Sequence, residues 1–367
     1  MDDFKGIKEA VKSAKRITIL TQSNLNRDIS GAVLALFFSL KNIDKIVNIP
    51  FLPKAPESIF SFKERSPQKT FLISFKKNIS EVYYEKKGEK VNLYIAPKEG
   101  EISLEDFSFK TVPFSQGQTL PSAEDQEAPA DLLIALGLEN FQDVEKAAEK
   151  NPELSLPQIK IINIGRSGLN QKYADFNLVK KDNSLSRICA YFLKNLGLVN
   201  EKSASSLLYG FLDGAKEDSY QRSLPFLSWL AKEKADFSLW TDNEYRELLS
   251  EIFKKMEISE NGSFFSVSLT EKDFEKTKTS PKSLGAVIKE IKDAVNVPSF
   301  LFLWEERGQS SPKKIAGVFY SENEDIVEKS EKELKGKRRG KGVLFTSPVA
   351  DLGQAKKEIL NIISRQS

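Results

Sequence analysis

The segment from residue 16 to residue 49 constrains the fold more than any other part of this chain. Arg16–Leu20 (RITIL) is a β-rich run that reads as a buried strand. Residues 21–28 form a polar loop, residues 29–41 (ISGAVLALFFSLK) a strongly apolar helix, and residues 45–49 the next strand. Strand, loop, helix, strand is the βαβ unit of a parallel sheet, and such sheets bind ligands at the carboxyl ends of their strands. Chemistry is therefore expected in the loop 21–28. A short amphipathic helix over 7–15 precedes the unit.

Further along, residues 70–75, 81–85 and 90–96 alternate or run apolar between turn signals, which predicts a small antiparallel insert over about 51–130. Residues 116–130, rich in Gln, Ser, Pro and Glu, read as a loop. Residues 131–138 and 159–164 read as two more buried parallel strands, with a helix around 144–149. Residues 184–196 and 204–211 read as apolar helices. Residues 223–257 are largely helical and connect to a second α/β region. That region has strands at 263–269, 299–305 and Lys314–Ser321 and a helix at 283–293. A basic stretch at 335–341 leads into a strand at 343–346, and a closing helix follows at 352–363. The expected organisation is an N-terminal domain over 1–222, a helical connector over 223–257 and a smaller C-terminal domain over 258–367.

Composition narrows the function. With 367 residues, 40% apolar and 29% charged, the chain suits two globular domains. The net charge of +3 is too small to indicate nucleic-acid binding by itself, so any such site must be local. The most apolar stretch, 32–40, falls short of the ~20 residues of a membrane span. The first residues lack the basic-then-apolar layout of a signal peptide. The single cysteine, Cys189, excludes an intrachain disulfide and a thiolate cluster, and the expected location is the cytoplasm. Histidine is absent altogether, which removes imidazole as metal ligand and as general base near neutral pH.

The loop Gln22-Ser23-Asn24-Leu25-Asn26-Arg27-Asp28, with Gly31 early in the following helix, resembles the first motif of the DHH-family phosphoesterases, His-x-Asn-Pro-Asp-Gly-Asp. Asn24, Asp28 and Gly31 match, whereas Gln22 stands for the histidine and Asn26 for the first aspartate. The strand at 131–136 resembles the second motif, with Gly137 at the metal-bridging aspartate. The strand at 161–164 resembles the run into the Asp-His-His signature, replaced here by Gly165-Arg166-Ser167. Asn170, Asp175, Asn177 and Ser184 keep the pattern that follows. Residues 204–211 resemble the helix before the fourth motif, whose aspartate aligns with Gly214, next to Asp213. Near the C-terminus, Gly336-Lys337-Arg338-Arg339-Gly340-Lys341-Gly342 resembles the glycine-rich substrate loop of the DHHA1 domain: Lys337 replaces its histidine, and Arg338 and Gly342 match. The resemblance leans to the oligoribonuclease and phosphoadenosine-phosphate phosphatase branch. It implies a mainly parallel sheet flanked by helices, a helical connector and a smaller α/β DHHA1-like domain.

The resemblance also implies two-metal hydrolysis by manganese or magnesium, which needs carboxylate ligands. Of the ligand positions only Asp28 keeps a carboxylate. Arg166 puts a positive charge where a cation belongs, and no metal cofactor is expected. Glu139 and Asp213 are neighbouring carboxylates that would have to rebuild a metal site, alone or with Glu217 or Asp218; the plainer reading makes them solvated loop acids. Asp28 reads equally as the N-cap of the helix starting at Ile29. Arg166 reads either as a built-in partner for Asp28 or as a solvent-facing loop arginine. Lys337, Arg338, Arg339, Gly340 and Gly342, extended by Lys332, are candidate phosphate contacts, weighed against a solvated basic turn. Phe264, Phe265, Phe300, Phe302 and Trp304 read as core, and the hairpin with Tyr83, Tyr84, Tyr94 and Ile95 as packing on its own domain. Three functions compete. One is a non-catalytic protein binding a nucleotide, a short RNA or a protein partner between its domains. The second is a phosphoesterase with a rebuilt site, and the third a structural partner acting through the 51–130 insert. No membrane role is expected.

Overall fold

A computed structural model describes residues 3–51, 53, 56, 59, 68–75, 78–87, 90–100, 103, 106–114, 130–149, 154, 156–166, 168, 170–182, 184–213, 219–241, 243–259, 264–295, 297–306 and 314–365. The expected loop at 116–130 falls almost wholly outside them, as do Ser167, Gly214, Glu217 and Asp218. Backbone contacts divide the chain into two units, 1–59 with 128–367, and 60–127.

The larger unit begins with α1 (Phe4–Ser13), β1 (Arg16–Leu20), α2 (Arg27–Lys41) and β2 (Ile46–Asn48). The smaller unit holds β3 (Gln68–Phe75), β4 (Ile79–Lys87), β5 (Lys90–Pro97) and β6 (Phe107–Phe114). It pairs β3 with β6 and β4 with β5, both antiparallel. The chain then continues through β7 (Leu132–Leu136), α3 (Phe141–Ala148), β8 (Lys160–Arg166), β9 (Phe176–Lys180), α4 (Leu185–Leu196) and α5 (Glu201–Phe211). The first sheet has the order β2-β1-β7-β8-β9 and is parallel throughout.

Both faces of this sheet are covered, as parallel sheets require. Ile17, Ile19, Leu132, Ile134, Leu136, Ile162 and Ile164 pack with α1, α2, α4 and α5. The alternate residues Leu133, Ala135 and Ile161 pack with Val144, Ala147 and Ala148 of α3. Helices α2 and α5 approach unusually closely. A Cβ on Gly31 would lie 2.5 Å from the Gly210 Cα and 2.5 Å from the Ser206 carbonyl oxygen, so both positions demand glycine for steric reasons.

Helices α6 (Tyr220–Lys232) and α7 (Arg246–Lys255) lead to β10 (Glu257–Ile258), β11 (Phe264–Leu269), α8 (Glu271–Thr277), α9 (Leu284–Ala294), β12 (Ser299–Glu306) and β13 (Lys314–Ser321). The chain closes with α10 (Glu324–Glu333), β14 (Lys337–Arg339), β15 (Gly342–Ser347) and α11 (Leu352–Ser364). The second sheet has the order β10-β11-β12-β13-β15-β14. Its only parallel pair among the described strands is β11 with β12. Phe265, Phe300, Phe302 and Tyr320 form an aromatic stack inside the same apolar cluster that fills the first sheet. The opposite face packs Leu301, Leu303 and Phe319 on Ala355, Ile359 and Ile363 of α11. One core thus runs without interruption through the helical segment between the sheets. No helix among the described residues is long and apolar enough to cross a membrane.

Cys189 is fully buried in α4, and burial, followed by the nearby Asp28 carboxylate, pushes its thiol well up. The folded protein should therefore resist thiol-specific labelling and react only on denaturation, checked by stopped-flow labelling against denaturant. Gly31→Ala should cost about 1–3 kcal/mol by wedging α2 from α5, read as a lowered denaturation midpoint.

Candidate functional site

At the carboxyl end of the first sheet the chain leaves β1 toward β2 on one side and runs β7, β8, β9 on the other. The switch point therefore lies between β1 and β7, the place where open parallel sheets bind ligands. A cleft of about 560 Å³ opens there. Gln22 and Ser23 after β1, Gly137, Leu138 and Glu139 after β7, Asp143 and Lys146 on α3, and Phe51 line it. None of its lining residues comes from the second sheet.

Asp28 governs the neighbouring end of β8. The residue lies in the first turn of α2, but it does not cap that helix. Asn26 is the N-cap, its side-chain oxygen accepting from the Ile29 N–H at 2.8 Å. This corrects the reading of Asp28 as the cap of its own helix and gives Asn26 that structural task. The Asp28 carboxylate instead serves the N-terminus of α4. Its Oδ1 accepts from the Ser184 hydroxyl at 2.9 Å and the Ser186 N–H at 2.9 Å. Its Oδ2 accepts from the Leu185 N–H at 2.7 Å and from Arg166 Nη2 at 2.8 Å. The side chain is 9% exposed, and that of Arg166 is 45% exposed. Arg166 is thus the partner of Asp28, not a loop arginine facing only solvent.

A carboxylate offers about four lone-pair sites, and here every one meets a donor. The pattern suits a helix N-terminus, where negative charge is stabilised. It leaves no oxygen for a metal ion. The other positions that the resemblance would assign to ligands fit manganese or magnesium no better. The side-chain oxygen of Asn26 is already an acceptor for the helix. Gly137 has φ +70°, and a Cβ there would meet Leu185 Cδ1 at 2.9 Å. A Cβ on Gly165 would meet Asn170 Nδ2 at 2.5 Å. Glu139 and Asp213 are both exposed, and among the described residues no group of three or more acidic or thiol side chains is placed to hold a metal.

Asn170, Asp175 and Asn177 build the end of the sheet. Asn163 is fully buried and donates to the side-chain oxygens of Asn170 at 2.7 Å and Asn177 at 3.0 Å. Asn170 in turn donates to the Leu138 carbonyl at 3.0 Å, beside the cleft. Asp175 accepts from the Ile161 N–H at 2.8 Å. The sequence reading missed Arg27, whose guanidinium lies 4.4 Å over the Tyr209 ring while its buried Nε has no acceptor among the described residues. Its place inside the first motif was the available signal.

The basic segment 335–341 differs from the expected loop. Lys337–Arg339 is an edge strand, joined to β15 through Gly340 and Lys341. Gly340, at φ +60°, makes the turn, and Gly336 is required because a Cβ would meet Val343 Cγ1 at 2.5 Å. Strand alternation sorts the cations. Arg338 is engaged, its Nε donating to the Gly340 carbonyl at 3.0 Å and its N–H to Glu331 at 3.1 Å. Lys341 pairs with Glu322, and Lys332 with Glu328. Lys337 and Arg339 are exposed, with no side-chain partner among the described residues. Gly342 opens β15 in ordinary contact.

No family model matches the chain, and no curated protein matches it. Among solved structures it is similar to an exopolyphosphatase-related protein from Bacteroides fragilis, at 13% identity over 98% of this chain and 95% of that one, with a TM-score of 0.40. It is also similar to a protein from Methanococcus jannaschii assigned to the family II inorganic pyrophosphatases, at 12% identity over 63% of this chain and 80% of that one, with a TM-score of 0.23. Likeness of this degree carries no function across.

Arg166→Ala should destabilise the fold by about 1–3 kcal/mol, because it leaves the buried Asp28 carboxylate without its counter-charge. The measurement is the denaturation midpoint, and an unchanged value would remove the assigned role. Gly137→Asp, which places a carboxylate at this position, should also destabilise the fold, by about 1–3 kcal/mol from the left-handed backbone conformation.

Proposed function

We propose that this chain is a DHH-like phosphoesterase homologue that has given up metal-dependent hydrolysis and binds a nucleotide or short RNA instead. The family reading rests on the order of the five degenerate motifs along the chain. The loss of hydrolysis is supported above all by the saturated Asp28 carboxylate, whose four acceptor positions are taken by Arg166, Ser184, Leu185 and Ser186. A metal would have to displace a guanidinium and two backbone N–H groups that hold the start of α4. The retained cleft and the two uncommitted cations of β14 favour a binding role over a purely structural one. Exposed Lys337 and Arg339 project from alternate positions of an edge strand, a spacing that meets successive phosphates.

Calorimetry with manganese on metal-stripped protein, followed by turnover assays on short RNA and phosphoadenosine phosphate, tests this reading. The expected result is neither metal binding nor turnover. Stoichiometric manganese binding with turnover would overturn it. Replacing Lys337 and Arg339 together by alanine should weaken short-RNA binding and flatten its salt dependence, whereas replacing Arg338 should chiefly lower stability.

A further inference from the structure

The first sheet ends on β9, and the outer side of that strand is laid out for another strand. Alternate residues of a strand turn their N–H and C=O to the same side. In β8 the Ile161 N–H turns toward β9, where it donates to Asp175 at 2.8 Å. The Ile164 carbonyl turns toward β7, where it accepts from the Gly137 N–H at 2.8 Å. Asn163 and Gly165 are therefore the β8 residues whose backbone bonds β9. Their register partners are Asn177 and Val179, so the bonds go to the flanking Phe176, Leu178 and Lys180. The backbone groups of Asn177 and Val179 face the open side, and none of them meets a hydrogen-bond partner among the described residues.

Proteins ordinarily guard such an edge. On the edge strand β14 the Arg338 N–H is taken by the Glu331 carboxylate. β9 ends in Lys180, whose ammonium is drawn back over the Tyr191 ring of α4 at 4.7 Å. Tyr191 is 41% exposed and meets Phe4 edge to face, so an aromatic surface flanks the strand.

Residues 175–181 are complementary to themselves. When two copies are placed antiparallel about a twofold axis through Leu178, Asn177 of each lies opposite Val179 of the other. Each such pair exchanges its N–H···O bonds, so every outward backbone group of the two residues is satisfied. The same register sets the exposed Asp175 carboxylate opposite the exposed Lys181 ammonium on both sides of the axis. A shift by one residue would set these outward groups against groups already spent on β8. The twofold also brings the Tyr191 flanks of both copies to one face of the joined sheet.

We propose that β9 is a self-association edge, through which two copies of this chain join antiparallel over residues 175–181 into one continuous sheet. The proposal is independent of what the chain binds.

Sedimentation equilibrium of the full chain at micromolar concentrations tests it, together with amide exchange of residues 176–181. The expected species is a dimer in which the Asn177 and Val179 amides exchange slowly and lose that protection on dilution. Val179→Pro removes an outward donor and leaves the bonds to β8 in place, a change that edge strands tolerate. Because the loss occurs twice in the dimer, association should weaken at least about tenfold. Lys181→Glu sets like charges opposite each other and should weaken it as well. Circular dichroism verifies the fold of each variant, and Lys181→Glu carries the test if Val179→Pro does not fold. A monomer at every concentration would overturn the proposal. So would a dimer that neither folded variant weakens, or one whose Asn177 and Val179 amides exchange as fast as in the monomer.

Discussion

The carboxylate of Asp28 joins three elements that are far apart in sequence: the first turn of α2, the end of β8 and the start of α4. Each of its oxygens receives two donors, one donor being the Arg166 guanidinium and two being backbone N–H groups that would otherwise be orphaned at a helix terminus. The backbone of Asp28 takes part as well, its carbonyl accepting from the Ser186 hydroxyl at 3.0 Å. The Gly31–Gly210 crossing lies next to it, since a Cβ on Gly210 would come within 3.0 Å of the same carbonyl oxygen. Ion pair, helix cap and close helix approach therefore form one assembly, and none of the three can shift without disturbing the others.

That assembly sets the chemistry open to the carboxyl end of the sheet. A divalent ion needs several oxygen ligands at short range. Here the Asp28 carboxylate is committed to a permanent cation carried by the chain itself. A guanidinium binds through directional N–H groups and has no open coordination position at which to polarise water. It can recognise an oxyanion, but it cannot generate a metal hydroxide. The glycines at 137 and 165 follow the same logic. One takes a left-handed conformation, and the other leaves room for Asn170 and the buried asparagine network. Both positions are fitted to the neighbours that surround them.

Much of this was legible in the sequence. The apolar runs RITIL, at 131–138 and at 159–164 marked three parallel strands, because strands buried on both faces must be continuously apolar. Arg166 and Asp28 stood out as a candidate pair from their motif positions alone. Other features escaped. Phe176–Lys180 was not recognised as a strand, since FNLVK is short and mixed in polarity and gains its place by pairing with β8. The basic run at 337–339 looked like a loop because charge is ordinarily a solvent signal. It is strand because Val343 and Leu344 opposite it are anchored in the second sheet. The sequence left the cap of α2 open because Asn26 and Asp28 lie two residues apart, and both are good caps. Only the arrival of Ser184, Leu185 and Ser186 assigns Asp28 to the other helix.

The sequence by itself determined the local elements, the absence of imidazole and of any thiolate cluster, and the lack of a side chain at 137 and 165. These follow from residue identity and periodicity, which act over a few positions. Tertiary structure alone decided which cations are spent and which are free: Arg338 and Lys341 on acidic neighbours, Lys337 and Arg339 exposed, and Arg166 half committed to a buried carboxylate 138 residues away. The physical reason is that hydrogen bonds and ion pairs are satisfied by proximity in space, which the chain settles only when its sheets and helices close around one another.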